Sequence, residues 1–181
     1  MKGQAGSSEA PVFRARRLVA HHEERIKAHP GHIFPLLCPI EEYKWLDGWE
    51  CELVYSESGV VENNCVFRED LSAPFFFGSA GSTTWITTLQ DHDSWRRHFV
   101  MISDAAVRKV EVSIEDGAGG TSLVRWAVVV TSLDQDGSKA FDDGLEERAR
   151  VYLAFVGAAL RHYCESGGVL PRSEFLHSLE R

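Results

Sequence analysis

The chain is poor in cysteine, in basic charge and in long apolar runs, and each shortage excludes something. Its four cysteines in 181 residues, Cys38, Cys51, Cys65 and Cys164, follow neither a disulfide framework nor a CxxC metal spacing, so they read as thiols. Lys and Arg number 19 against 27 Asp and Glu, a net charge of −8. That balance disfavours a sequence-independent grip on phosphate backbones or anionic lipid, and nucleic acid is not an expected partner. The longest nearly unbroken apolar run, Val151 to Leu160, falls far below the roughly 18 to 20 residues of a bilayer span. No apolar segment follows the first Lys in MKGQAGSSEAPVFRARR, which argues against a secretory signal and for a cytoplasmic location. The eight histidines lack zinc spacings. Neighbours such as His21 and His22 would face opposite ways on a strand, so neither a metal nor another cofactor is expected. The GAGG run at Gly117 to Gly120 has no following Lys-Ser/Thr and no helix, and reads as a turn, not a phosphate loop.

What is present reads as one domain over residues 12–168, with a disordered tail at 1–11 and a C-terminal tail at 169–181. Phe13 to His22 suits a strand. In HPGHIFPLLCPIEEYKWLDGW, Pro30 opens a helical turn, Pro35 interrupts it and Pro39 marks a second start, which predicts two short helices. The period then changes to two. Cys51, Leu53 and Tyr55, then Val61, Cys65 and Phe67, form a hairpin with one apolar face. A three-residue loop, Glu57-Ser58-Gly59, sets Cys51 opposite Cys65 with the two sulfurs as neighbours. EDLSAPFFFGSAGS fits no period. A second hairpin around Asp91-His92-Asp93 aligns Trp85 and Leu89 with Trp95, Phe99 and Met101. Val110, Val112 and Ile114 make a one-sided strand, followed by Ser122 to Leu133 with Val124, Trp126, Val128 and Val130 on its apolar face.

The chain closes on one long amphipathic helix. Phe141 and Asp142-Asp143 supply its staple and cap, and Gly167-Gly168 end it. Leu145, Ala149, Tyr152, Val156, Leu160 and Tyr163 recur at helical spacing and should face the sheet. A one-sided sheet of about seven strands must be covered, and only this helix is long enough to do so. The fold class is therefore α+β, a curved antiparallel sheet around a long C-terminal helix.

Residues 13 to 164 resemble the SRPBCC proteins of the START and birch-pollen-allergen helix-grip superfamily, polyketide cyclase/dehydrase-like members included. FPLLCPIEEYKWLDGW and the following hairpin carry the resemblance most strongly, and LLCPxxEYxW is fairly specific for one bacterial branch. TTWITTL, VRKVEVSI and VRWAVVVTSLDQDG resemble later strands. The resemblance implies a hydrophobic cavity between sheet and helix that holds a lipid-like, polyketide-like, isoprenoid or aromatic molecule. Carriers, cyclases, chaperone activators and dioxygenase subunits all share that fold, so the fold does not fix the function. The metal ligands of the dioxygenase branch have no counterpart here.

The expected function is binding or carriage of a hydrophobic or aromatic small molecule. The alternatives are a cyclase/dehydratase-like enzyme and a chaperone-activator-like interaction protein. Candidate ligand-binding residues are Trp45, Tyr55, Phe67, Trp85, Thr87, Arg97, Phe99, Tyr152 and Val156. Their aromatic bodies would cover an apolar ligand, while hydroxyls or a guanidinium fix its polar end. For Arg97 a position snorkelling from the barrel rim is favoured over one reaching inward. Tyr43, Trp45 and Trp49 are read first as anchors of the short helices and second as a cavity mouth. No residue is assigned a catalytic role.

Overall fold

The computed structural model describes residues 13–71 and 81–181. The expected tail at 1–11 and the Phe75-Phe76-Phe77 cluster lie outside the described residues. Seven strands form one antiparallel sheet in the order β1-β7-β6-β5-β4-β3-β2. These are β1 (Arg17–Ile26), β2 (Glu52–Tyr55), β3 (Val66–Leu71), β4 (Gly81–Asp91), β5 (Arg96–Ile102), β6 (Ala106–Asp116) and β7 (Ser122–Ser132). Alternation is cleanest in β7, where every second residue from Ser122 to Ser132 is buried. The apolar residues of this set, Val124, Trp126, Val128 and Val130, are the ones the sequence pattern placed inward.

Two short helices, α1 (Pro30–Ile33) and α2 (Pro39–Glu42), follow β1 and flank a 3-10 turn at Phe34–Leu37. Pro30 and Pro39 each occupy a first helical turn, where the missing N–H costs nothing. The His29 ring caps α1 by accepting from Gly31 N at 3.0 Å.

Several boundaries differ from the sequence reading. The first strand runs from Arg17 to Ile26, not Phe13 to His22. Its inner face, Leu18, Ala20, His22, Glu24 and Ile26, mixes polar with apolar side chains, which an edge strand tolerates. The β2–β3 register is Glu52↔Arg68 and Leu53↔Phe67, so Cys51 does not stand opposite Cys65. The loop is longer than three residues because Glu62 organises it: its carboxylate accepts from Ser56 Oγ at 3.0 Å and from the Glu57 and Ser58 backbone N–H groups. The Cys51 sulfur lies 3.9 Å from Pro39 O, whereas Cys65 is buried in the core. All four cysteines are free. EDLSAPFFFGSAGS is strand at both ends, since β3 and β4 pair from Val66↔Ile86 to Leu71↔Gly81.

In the second hairpin a register shift between Thr87 and Leu89 sets Leu89 opposite His98. Leu89 thereby leaves the inner row that Trp85 and Thr87 keep. Trp95 sits in the turn with φ 52° and packs edge-on against Phe34 at 5.6 Å between ring centroids.

A short helix that the sequence reading did not anticipate precedes the long C-terminal one. Helix α3 (Gln135–Asp142) is capped by Asp134, whose side chain accepts from Gly137 N. Gly144 then turns at φ 79° and α4 (Leu145–Ser166) begins, so Asp142-Asp143 is not its cap. Gly167, at φ 75°, ends α4, as the sequence indicates. Leu145, Ala149, Tyr152, Val156 and Leu160 are buried, and Gly157 brings α4 against β1 so closely that a Cβ there would meet the His22 ring at 2.5 Å. The C-terminal segment, expected only as a tail, carries helix α5 (Arg172–Leu179). It docks by Phe175 on Phe155, ring centroids 5.5 Å apart, and by Arg172 N donating to Asp47 Oδ2 at 2.9 Å. Among the described residues no helix is long and apolar enough to cross a membrane.

Candidate functional site

The inner face of the sheet, α4 and the short helices enclose an apolar void of about 60 Å³. Trp45, Trp49, Trp85, Phe99, Trp126 and Tyr152 supply its aromatic walls, with Val156 and Leu153 from α4. Each Trp of the short-helix region is tied by its ring N–H, Trp45 to Leu36 O and Trp49 to Pro39 O, both at 2.8 Å. The anchoring role expected for Trp45 and Trp49 is therefore what the hydrogen bonds show, and the same rings also wall the void.

Of the nine candidate residues, Trp45, Trp85, Phe99, Tyr152 and Val156 line the void. Phe67 and Thr87 are buried one step away, Phe67 stacked on Trp85 at 5.1 Å. Tyr55 is misplaced by the sequence reading. The β2 irregularity between Leu53 and Tyr55 turns it outward, where it is 56% exposed. Arg97 is corrected in the opposite sense: it does not snorkel from the rim but lies inside at 1% exposure. Its guanidinium carbon sits 4.5 Å from the centre of the Phe34 ring. Neither its Nε nor its Nη1 has a hydrogen-bond partner among the described residues.

Three further charged side chains of the interior were missed. Glu42 lines the void, and burial pushes its carboxyl up to about 8, with Arg97 pulling the other way and Glu69 adding to the rise. Glu69, 2% exposed, is raised to about 7, again chiefly by burial, although Trp85 Nε1 donates to it at 2.9 Å and Arg108 attracts it. Arg108, 2% exposed, donates to Ser103 Oγ at 3.3 Å. Burial lowers Arg97 to about 10 and lowers Arg108 as well. Tyr152 is raised well above 10 by burial and then by Glu69 and Glu42.

Their phase with core positions was visible in the sequence, although phase alone does not say that a charged side chain points inward. Arg108 and Glu69 are in phase with Val110 and Val112 and with Cys65 and Phe67. Glu42 precedes Trp45 and Leu46 by three and four residues on α2 and the turn after it.

The arrangement is an aromatic void with one carboxyl, Glu42, in its lining and a second, Glu69, behind Trp85, both held close to neutrality, which suits recognition of a ligand's polar end and proton transfer. A separate depression of about 280 Å³ on the outer face is lined by His21, Glu23, Arg96, His98, Glu111 and Arg125 among others. There Arg125 pairs with Glu23 and Glu115, and Glu111 with Lys109 at 2.6 Å, so its charges are largely matched. Among the described residues no three His, Cys, Asp or Glu side chains converge to hold a metal ion.

No protein-family model and no curated protein matches the sequence. Solved structures do match. A point mutant of norcoclaurine synthase from Thalictrum flavum, in complex with a transition-state analogue, superposes with a TM-score of 0.63 at 13% identity, covering 86% of this chain and 99% of that one. The same plant's enzyme in complex with dopamine and hydroxybenzaldehyde gives 0.59 at 12% identity over 85% of this chain and 95% of that one. DynU16, from the dynemicin biosynthetic locus, gives 0.55 at 16% identity over 83% of this chain and 48% of that one. At these identities the likeness is one of fold, and it agrees with the strand order and the long C-terminal helix: the chain has the helix-grip fold of the START and birch-pollen-allergen-like SRPBCC superfamily.

Proposed function

We propose that this protein binds a small hydrophobic or aromatic molecule in the void between sheet and α4. The observation that carries the reading is the void itself, walled by six aromatic rings and edged by a carboxyl and a phenol. Its size sharpens the ligand class. About 60 Å³ is room for roughly two waters, against the ~150 Å³ of a cavity that admits benzene. Uptake therefore moves the walls, and a one-ring compound needs the least movement. One fold neighbour was solved in complex with dopamine and hydroxybenzaldehyde, two one-ring compounds, which supports the class without naming the ligand. The free thiols suit a reducing cytoplasm, where we place the protein.

The test is a titration of protein purified without detergent, followed by native mass spectrometry and by the NMR signals of the Trp ring N–H groups. One-ring aromatics should bind 1:1 and shift the wall indoles. Phe67→Ala, which opens space behind Trp85, should extend uptake to two-ring compounds. Absence of any saturable binding in both proteins overturns the reading.

A second reading, a cyclase- or dehydratase-like enzyme, is favoured by one specific observation: Glu42 and Glu69 have carboxyls raised to about 8 and about 7, the range in which a group gives and takes protons efficiently. Turnover of a carbonyl substrate, lost in Glu42→Gln, would establish it over simple carriage.

A further inference from the structure

The lining of the void is apolar except at Glu42 and Tyr152, and α2 fixes Glu42 there. Its backbone is fully used: Glu42 N donates to Cys38 O at 2.9 Å, and Glu42 O accepts from Trp45 N and Leu46 N at 3.1 and 2.9 Å. Trp45 and Leu46 line the void on the same side. Glu41, one residue earlier, instead pairs outward with Lys44. The Glu42 carboxyl makes no hydrogen bond to any described residue. Glu42 is half-buried, and a carboxyl that borders an apolar void with no partner among the described residues is placed to meet the polar end of a ligand.

We infer that Glu42 is the recognition residue for the ligand's polar end: as a neutral carboxylic acid it donates a hydrogen bond to a carbonyl or phenol oxygen, so the site selects aromatic ketones, aldehydes and phenols over hydrocarbons of the same shape. This inference rests on the binding reading above and deepens it.

The surroundings support the neutral form. Facing Glu42 are Arg97 from β5, Glu69 from β3 and Tyr152 from α4, with Cys51 beyond. Burial and Glu69 oppose ionisation, Arg97 favours it, and the balance holds the proton up to about pH 8. Arg97 does not itself reach the lining. A ligand carboxylate would therefore enter a desolvated cell beside another carboxyl, without direct access to the guanidinium.

The experiment compares acetophenone with α-methylstyrene, its isostere with CH₂ in place of the carbonyl oxygen, by the Trp ring N–H shifts of the intact protein. At pH 6.5 wild type should prefer acetophenone by about tenfold, the worth of one good hydrogen bond to a buried donor. That preference should fade above pH 8 as Glu42 ionises. Glu42→Leu should bind both compounds equally. Glu42→Gln, which keeps an N–H donor but does not titrate, should retain a preference that no longer depends on pH. If neither compound binds wild type, the binding reading fails. If both bind and wild type shows no preference, or the preference survives in Glu42→Leu, this inference fails while the binding reading stands. The wild-type pH series decides the matter even if the Leu variant does not fold.

Discussion

The two carboxyl–guanidinium combinations of the interior, buried Glu69 with Arg108 and half-buried Glu42 with Arg97, are built to different standards. Glu69 accepts the Trp85 ring N–H at 2.9 Å and feels Arg108, which in turn holds Ser103. Glu42 has Arg97 as its attracting charge, yet Arg97 spends its guanidinium on the face of Phe34 and leaves Nε and Nη1 without partners among the described residues. Buried charge is costly unless its hydrogen bonds are made. The first combination thus reads as structure. The second is an incomplete arrangement of the kind a binding site carries, completed when a ligand or water arrives.

The largest effect should come from ruining the cell that both combinations share. Val156 lines the void opposite the sheet, and Val156→Asp would add a carboxylate with neither Arg97 nor Arg108 arranged to meet it. A loss of roughly 3–5 kcal/mol is expected in chemical denaturation. An unchanged midpoint would mean that the helix face is not packed as described.

The next test separates the two carboxyls by pH. Glu42 has a folded value of about 8 against an ordinary 4.5, so between those values the folded protein holds a proton that the unfolded chain releases. Stability from this group is complete below about pH 4.5 and is lost as pH rises through about 8. The slope is at most about 1.4 kcal/mol per pH unit. Glu69 contributes in the same sense up to about 7. Glu42→Gln should therefore have a flatter melting-temperature profile from pH 5 to 8 and exceed wild type at the alkaline end. A profile parallel to wild type would show that Glu42 does not hold its proton in the folded state.

How far this was legible in sequence follows from where period-two alternation is undisturbed. In β6 and β7 the pairing runs without a shift from Ala106↔Ser132 to Asp116↔Ser122, and Val112, Ile114, Val124, Trp126, Val128 and Val130 are buried there as the alternation predicts. In β2 and at the β4 end of the second hairpin, irregularities flip the faces, which is why Tyr55 and Leu89 were misassigned. The long helix was legible from its apolar stripe, but the short α3 before it was not read, and the cap expected at Asp142-Asp143 is at Gly144 instead. The walls of the void were legible as aromatic periodicity. Its chemistry was not, because Glu42, Glu69 and Arg108 are charged residues on apolar faces, and a polar residue in phase with core positions has no sequence mark that says whether it points inward with a partner or outward to water. Arg97 shows the difficulty: its phase was right, and the rim was still the more economical reading.

The smallest effect, and the sharpest on the comparison, is the difference between removing one guanidinium and removing the other. Arg108→Met takes away the charge that faces Glu69. Because Glu69 is already raised to about 7, it escapes by taking up a proton, and the cost should be about 1–3 kcal/mol, short of the toll for stranding a fixed charge. Arg97→Met should cost less, within about 1 kcal/mol of wild type. It forfeits a cation–ring contact worth about 0.5–2 kcal/mol but relieves the burial of two nitrogens, Nε and Nη1, that find no acceptor among the described residues. Glu42 is left neutral by the change rather than stranded, since without Arg97 its tendency to keep a proton only grows. Methionine's flexible chain covers Phe34 in place of the guanidinium. Melting temperatures of the two variants at pH 7 measure the difference. If the two losses are equal, Arg97 is as well matched as Arg108, and the incomplete combination beside the void is not a feature of the protein.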